Sequence, residues 1–331
     1  MDPEISIIVP TYNGATRISA CIEALLVQQT GRKYEIIIVD DGSTDNTCDI
    51  VKKYVKKYDS KALLIVQNNA GPASARNHGV EKASGEIVLF TDDDCIAEPD
   101  WLENMLTPFE DSDVVGTKGT YLTNQKELIA RFVQIEYEEK YDELSKHQYI
   151  DFLDTYSAAF RRKIFLDNSG YDTSFSTASV EDQEFSFRLA NMGYKMVFAP
   201  KAKVWHTHVK TISGYIQKKY KIGYWKLLLL AKNPNKITGD SHTPASLKMQ
   251  VLLTGILFFS LIFLVISPWG FVWLLIIATI FLVTMMPLVI RCLLRDPCVG
   301  MLAPLFIICR SVGLTAGLIK GFFGRFILSR N

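Results

Sequence analysis

Three consecutive carboxylates, Asp92, Asp93 and Asp94, follow the apolar run Ile87-Val-Leu-Phe90. Packed together they repel one another, so the triplet calls for positive charge among them. Hard oxygen ligands of this kind suit Mg²⁺ or Mn²⁺, an ion that in turn bridges substrate phosphates. A solvated turn has the same composition; position at the carboxyl end of a strand is what sets the metal reading beside it. Asp40 and Asp41 stand in Asp40-Asp-Gly-Ser43. A carboxylate there can accept hydrogen bonds from a base or ribose, and Gly42 permits a tight turn, although Asp and Gly are ordinary turn residues too. Glu181-Asp182 opens a helical pattern, where acidic residues suit the helix dipole. One of the two could also act as a general base on an acceptor hydroxyl.

The elements that must position these residues alternate along the first half of the chain. Apolar runs at Ile5–Pro10, Glu35–Asp40, Leu63–Val66 and Glu86–Phe90 read as strands, with helical patterns over Arg17–Gln29, Asp45–Lys57 and Pro72–Lys82 between them. Ser43 or Thr44 is available to cap the second helix, and Pro72 suits the first turn of the third. Strand–helix alternation implies an α/β fold whose mainly parallel sheet is covered on both faces. Ligands bind such sheets beyond the carboxyl ends of the strands, where the polar residues fall. Farther on, helices are expected over Lys126–Lys146 and Glu181–Met192, an extended stretch through Phe160, and a short strand over Lys195–Ala199.

The net charge of +1 gives no reason to expect a polyanionic partner, but it conceals a division. From Met249 to Ile290, 42 residues contain no Asp, Glu, Lys or Arg. As one helix this run would be about 63 Å long, roughly twice a bilayer core. Ser267-Pro-Trp-Gly270 breaks it into halves that each suit one crossing, a transmembrane helical hairpin. Ahead of it, Thr207–Gly239 has seven lysines and no acid, interleaved with Tyr215, Tyr220, Tyr224 and Trp225. This composition fits a cytosolic membrane interface; nucleic acid binding shares the signature, but the adjacent hairpin favours the membrane and no nucleic acid is expected. Arg291 and Arg295 make the other flank basic, which keeps both ends cytosolic. Beyond Val299 a third apolar helix carries Arg310, whose burial is expensive unless paired. A re-entrant or interfacial helix is therefore expected there, and Gly313, Gly317 and Gly321 allow a close helix contact. No signal peptide is expected, and the six cysteines lack metal-finger spacing.

Seven motifs in order give the sequence a resemblance to the family-2 glycosyltransferases of the GT-A fold, over about Ile5–His208. They are Ile7-Ile-Val-Pro-Thr-Tyr-Asn13, Ile38-Val-Asp-Asp-Gly-Ser-Thr-Asp45, Asn69-Ala-Gly-Pro-Ala-Ser-Ala-Arg-Asn77, Thr91-Asp-Asp-Asp94 with Pro99-Asp100, Ser157-Ala-Ala-Phe-Arg-Arg162, Gly170-Tyr-Asp172 and Val180-Glu-Asp182. The resemblance implies that Pro10 (through its backbone), Tyr12 and Asp41 hold the nucleoside while Asp40 supports the turn, and that Arg76 lies near the ribose or diphosphate. It implies Asp92 and Asp94 as the metal-binding acids, with Asp93 between them on the donor side. Asp182 matches the catalytic base, with Glu181 beside it. Val204-Trp-His206 resembles a segment that supplies a histidine to the metal in related enzymes, and His208 is the alternative.

The expected organisation is a catalytic domain over 1–208, an interfacial segment over 209–247, the hairpin over 248–290 and a third helix over 291–331. The implied reaction is inverting sugar transfer, assisted by Mg²⁺ or Mn²⁺, from a nucleoside-diphosphate sugar to a hydroxyl of a lipid-linked or other membrane-associated acceptor, on the cytosolic side. Transfer onto a polyprenyl phosphate is the second enzymatic reading. A transporter or scaffold with a regulatory nucleotide-binding domain is the reading from another class.

Overall fold

A computed structural model describes residues 3–175, 180–236 and 239–328 of the chain. These divide into two units, 1–124 with 144–207, and 125–143 with 208–331. The ends at 1–2 and 329–331, residues 237–238 of the expected interfacial segment and residues 176–179 lie outside the described residues.

The first unit is built on eight strands, β1 Ile5–Thr11, β2 Tyr34–Asp40, β3 Ala62–Val66, β4 Ile87–Phe90, β5 Cys95–Ala97, β6 Val114–Leu122, β7 Ala158–Arg161 and β8 Lys195–His206. Every residue of β1 is buried and β2 is nearly so, as their unbroken apolar runs require of parallel strands covered on both faces. The helices, in chain order, are α1 Ile18–Leu26, α2 Thr47–Lys57, α3 Pro72–Lys82, α4 Trp101–Leu106, then α5 Leu128–Leu144 of the second unit, and again in the first α6 Arg162–Asp167 and α7 Glu181–Asn191.

The sheet runs β3-β2-β1-β4-β7-β6-β8-β5. Strands β1 to β4 pair in parallel, with β2 and β4 flanking β1, so the chain reverses its strand order there. Beyond β4 the sheet is mixed. Strand β7 is antiparallel to β4 and to β6, and β5 is antiparallel to β8. Strand β8 continues seven residues past the expected end at Ala199. Its register against β6 jumps between Lys118↔Phe198 and Thr120↔Lys203. Pro200 falls within that irregularity, where a missing amide donor is tolerated, and the continuation carries the chain to His206.

The second unit adds four helices to α5. They are α8 Ile212–Lys232, α9 Ala245–Ile266, α10 Gly270–Arg295 and α11 Pro297–Leu328. Phe132, Tyr215, Leu253, Phe281 and Phe306 share one apolar core there, so each of the five helices contributes to it. The apolar run does break at 267–269. Two of the helices, over Gly270–Arg295 and Pro297–Gly324, are long and apolar enough to cross a membrane by length and composition. The third apolar segment is a single continuous helix of 32 residues. The objection to burying Arg310 falls away because the residue is paired, with Nη1 2.7 Å from Glu136 Oε1 and Nη2 2.7 Å from Gln250 Oε1.

The glycine repeat is where α8 and α11 meet. A Cβ on Gly317 would collide with the carbonyl of Tyr220 and stand 2.8 Å from the amide nitrogen of Tyr224; one on Gly321 would stand 2.8 Å from the Tyr224 carbonyl. Backbone cannot rotate aside, so a side chain at Gly317 must separate the helices. Gly317→Ala is expected to destabilise the protein by ~1–3 kcal/mol, the usual range for overpacking. Thermal unfolding in detergent reads this, and an unchanged midpoint would refute the close approach.

Candidate active site

Helix α3 ties the acidic segments together. Gly71, at φ +88°, turns the chain into it, with Pro72 in its first turn. Asp41, at the end of β2, accepts from the amides of Ala70 (2.9 Å) and Gly71 (2.8 Å) and from Gln67 Nε2 (2.7 Å). One turn on, buried Arg76 reaches Asp92 Oδ1 at 2.7 Å and Glu181 Oε1 at 3.2 Å. Burial opposes the guanidinium charge, but the carboxylates of Asp92 and Glu181 outweigh it and hold Arg76 above its ordinary value. Asn77 then clasps the peptide of Tyr171, donating to its carbonyl (2.8 Å) and accepting from its amide (2.9 Å). The motifs around 41, 76, 92, 171 and 181 are therefore one connected structure.

The three acids of the triplet have three different surroundings. Asp92 faces Arg76. Asp93 is buried, takes Thr11 Oγ1 at 2.6 Å and is forked by Arg17 at 2.7 and 3.0 Å. Burial raises its carboxyl, and the bonds from Arg17 and Thr11 work against that rise. Its partners come from the chain around β1, so it fastens the β1–α1 turn to the triplet. Gly14 is required beside it, since a Cβ there would overlap the Asp93 carboxylate. Asp94 turns the other way and lies 3.3 Å from His206 Nδ1.

Strand pairing sets that last contact, with Cys95 opposite His206 in the β5–β8 ladder. The His206 ring stacks on Tyr121, centroids 4.4 Å apart, and Tyr121 stacks on Tyr156. His208, the alternative imidazole, belongs to the second unit; its Nε2 is 3.0 Å from Gln134 Oε1. Carboxylate, imidazole and the Cys95 thiol form the one such ligand group among the described residues, with all three donor atoms within 4.8 Å of one another. Oxygen, nitrogen and sulfur donors together fit a first-row divalent ion, Mn²⁺ better than Mg²⁺.

Asp182 is half-buried at the first turn of α7. Its Oδ2 accepts from the Thr155 amide at 3.4 Å. Burial first, then the charge of Glu181, push its carboxyl up to about 7, and Arg76 offsets part of this. Glu181 itself is buried and paired with Arg76, whereas Asp182 takes its bonds from the backbone amides of Thr155 and Gln183.

At the positions expected to hold the nucleoside, Pro10 is buried in β1 and Tyr12 beside it is 46% exposed. Asp40 accepts from the Ser43 amide at 2.9 Å and so shapes the turn. Ser43 does not cap α2. Its hydroxyl accepts from the Asn13 amide at 2.9 Å, and α2 begins later, after Asn46, without a side-chain cap.

Carboxylates gathered at the carboxyl ends of parallel strands, with a carboxylate–imidazole pair beside them, mark the ligand-binding edge of an α/β fold, and comparison with known proteins gives its family. Residues 6–168 match the family described as Glycosyl transferase family 2. Over 234 residues the chain is 34% identical to the putative glycosyltransferase EpsH of Bacillus subtilis, covering 66% of this chain and 64% of that protein. With glycosyltransferase AglE of Haloferax volcanii it shares 38% identity over 117 residues, 34% of this chain and 38% of AglE. Both alignments span less than two thirds of the relative. The solved structure of mannosyltransferase PcManGT from Pyrobaculum calidifontis, in complex with GDP-Man and Mn²⁺, has a TM-score of 0.62 at 19% identity, over 98% of this chain and 88% of that one. Residues 6–168 are a family-2 glycosyltransferase domain, and the fold is GT-A.

Proposed function

We propose that this protein transfers a sugar from a nucleoside-diphosphate sugar to a hydroxyl of a membrane-associated acceptor, such as a lipid-linked glycan, with inversion and on the cytosolic side of the membrane. The observation that carries this reading is the placement of Asp182 in the first turn of α7, next to Glu181, which Arg76 joins to the triplet through Asp92; burial and Glu181 push the Asp182 carboxyl up to about 7. A base with that affinity holds a proton weakly enough to lose it and strongly enough to take one at neutral pH. Asp182 accepts the acceptor's hydroxyl proton as that oxygen bonds to the anomeric carbon. The bond from that carbon to the diphosphate oxygen breaks on the opposite face, the electron pair leaves with the diphosphate, and configuration inverts.

Asp94 and His206 would hold the divalent cation, Mg²⁺ or Mn²⁺, which when bound supplies charge neutralisation to the departing diphosphate. Arg76, already paired on both sides, positions Asp92 and Glu181 rather than reaching the donor freely. Asp41, with Pro10 and Tyr12, frames the nucleoside side, and its hold on residues 70 and 71 couples that side to α3. The apolar helices of the second unit expose Phe258, Phe259, Trp273, Leu294 and Met301, large side chains suited to lipid. They support a membrane anchor, and the lysine-rich α8 supports a cytosolic face.

A panel of nucleoside-diphosphate sugars, with and without Mn²⁺ or Mg²⁺, tests this on the detergent-purified chain. At a hundred times its dissociation constant a true donor stabilises the folded state by about 2.7 kcal/mol. The thermal midpoint should rise only when donor and metal are both present, with slow release of the nucleoside diphosphate. No response to any donor would sink the proposal.

A further inference from the structure

Cys95 immediately follows the triplet, and nothing in the reaction above uses it. The residue is 1% exposed. Sγ lies 3.8 Å from Asp94 Oδ1 and 4.0 Å from His206 Nδ1, and those two atoms are 3.3 Å apart. Ligands at 2.0–2.3 Å from one tetrahedral ion stand about 3.3–3.8 Å from each other. The three donors already lie at nearly that spacing, and three protein ligands with a fourth position open is the arrangement of a reactive zinc-type site. The side chains hold still without a ligand, since Cys95 and His206 are cross-strand partners and the imidazole is stacked on Tyr121.

We infer that Asp94, Cys95 and His206 form a three-ligand site selecting a borderline-soft divalent ion, Zn²⁺ or Co²⁺, over Mg²⁺, with Cys95 as the residue that sets the selectivity. This rests on the reading of Asp94 and His206 as the cation site of the donor pocket. A thiolate favours softer ions, while carboxylate, carbonyl and water suit Mg²⁺. On ligation the Cys95 S–H bond breaks, its proton goes to solvent and the sulfur lone pair goes to the ion, with no change of oxidation state. Zn²⁺ and the catalytic cation would therefore compete for one place, which makes the enzyme's metal state sensitive to the zinc available to it.

Cobalt spectroscopy on the full detergent-purified chain separates the outcomes. Titrating CoCl₂ into the wild type should give a near-ultraviolet sulfur-to-cobalt charge-transfer band together with intense visible bands of four-coordinate Co²⁺. ZnCl₂ should extinguish both. Cys95→Ser should abolish the charge-transfer band and weaken Zn²⁺ binding by at least about ten-fold, the loss that even outer-shell partners of a metal cause. Cys21→Ser, the control for the neighbouring buried thiol, should keep the band. Cobalt bound to the wild type, by equilibrium dialysis, without a sulfur band overturns the inference, and so does a band that survives in Cys95→Ser. The first of these needs no variant to fold. Failure to bind Co²⁺ or Mn²⁺ at all, even with nucleoside diphosphate present, overturns the cation site itself.

Discussion

Asp182→Asn is expected to lower sugar transfer by a factor of ~10²–10⁴, the scale of general-base help, while the donor and its metal bind nearly as before. The amide keeps the shape of the side chain and can still accept from the Thr155 amide, so the loss is one of basicity. Wild-type turnover should fall on the acid side of about pH 7, about ten-fold per pH unit, because the carboxyl must be ionised to accept a proton and its value is about 7. Single-turnover rates across pH, with donor affinity measured alongside, check both statements. An Asp182→Asn protein that turns over like the wild type would mean the proton goes elsewhere. Undiminished transfer to bare polyprenyl phosphate would say the acceptor arrives already ionised.

The same substitution has a second signature of opposite sign. An acid whose folded value is raised binds its proton more tightly folded than unfolded. Its ionised form therefore strains the fold, not at all below the unfolded value near 4, increasingly as pH rises toward 7, and fully above. Each tenfold difference in proton affinity is worth about 1.4 kcal/mol, so the strain reaches a few kcal/mol. Asp182→Asn should thus unfold at a higher temperature than the wild type at pH 8 and at a similar one at pH 4, without metal. Stability gained where activity is lost marks a group held ready for chemistry.

Much of this site is legible in the sequence because it sits where a parallel sheet must place it. The apolar runs of β1, β2 and β4 each end in the polar residues that matter, and Pro72 opens its helix where expected. What the sequence hides is which way neighbours in a turn point. Asp92, Asp93 and Asp94 look equivalent on paper, yet they face Arg76, Arg17 and His206 in turn. Arg17 carries no signal, being one more basic residue near a helix start. Cys95 is equally silent because its partner is 111 residues away in β8, a strand that Pro200 conceals. Composition also suggests that α5, charged and aromatic, belongs with the catalytic domain it interrupts; the fold assigns it to the helical unit. Its purpose there is Glu136, 174 residues from Arg310, a pairing that no local pattern displays.

Arg310→Met is expected to destabilise the protein by ~1–3 kcal/mol, the cost of removing one partner of a buried charged hydrogen bond, because Glu136 keeps Lys219. Glu136 is 4% exposed and takes Arg310, Lys219 (3.2 Å) and the Tyr215 hydroxyl (2.8 Å). Burial opposes its charge, but Lys219 and Arg310 prevail and bring the carboxyl down to about 2. That stability is present above the unfolded value near 4.5 and is lost as pH falls from there toward 2. Glu136→Gln should be milder at neutral pH, because its amide can still accept from Arg310, and should flatten the acid limb of the unfolding curve. The double variant Glu136→Leu with Arg310→Met removes both charges together. It should be more stable than the sum of the single changes predicts, since the two residues are in direct contact and each single change breaks the same pair, while Lys219 loses its carboxylate in Glu136→Leu and in the double variant alike. Thermal unfolding of the wild type, Glu136→Leu, Arg310→Met and the double variant in one detergent measures the coupling directly. Strict additivity would mean that Arg310 crosses the apolar helices by some means other than Glu136.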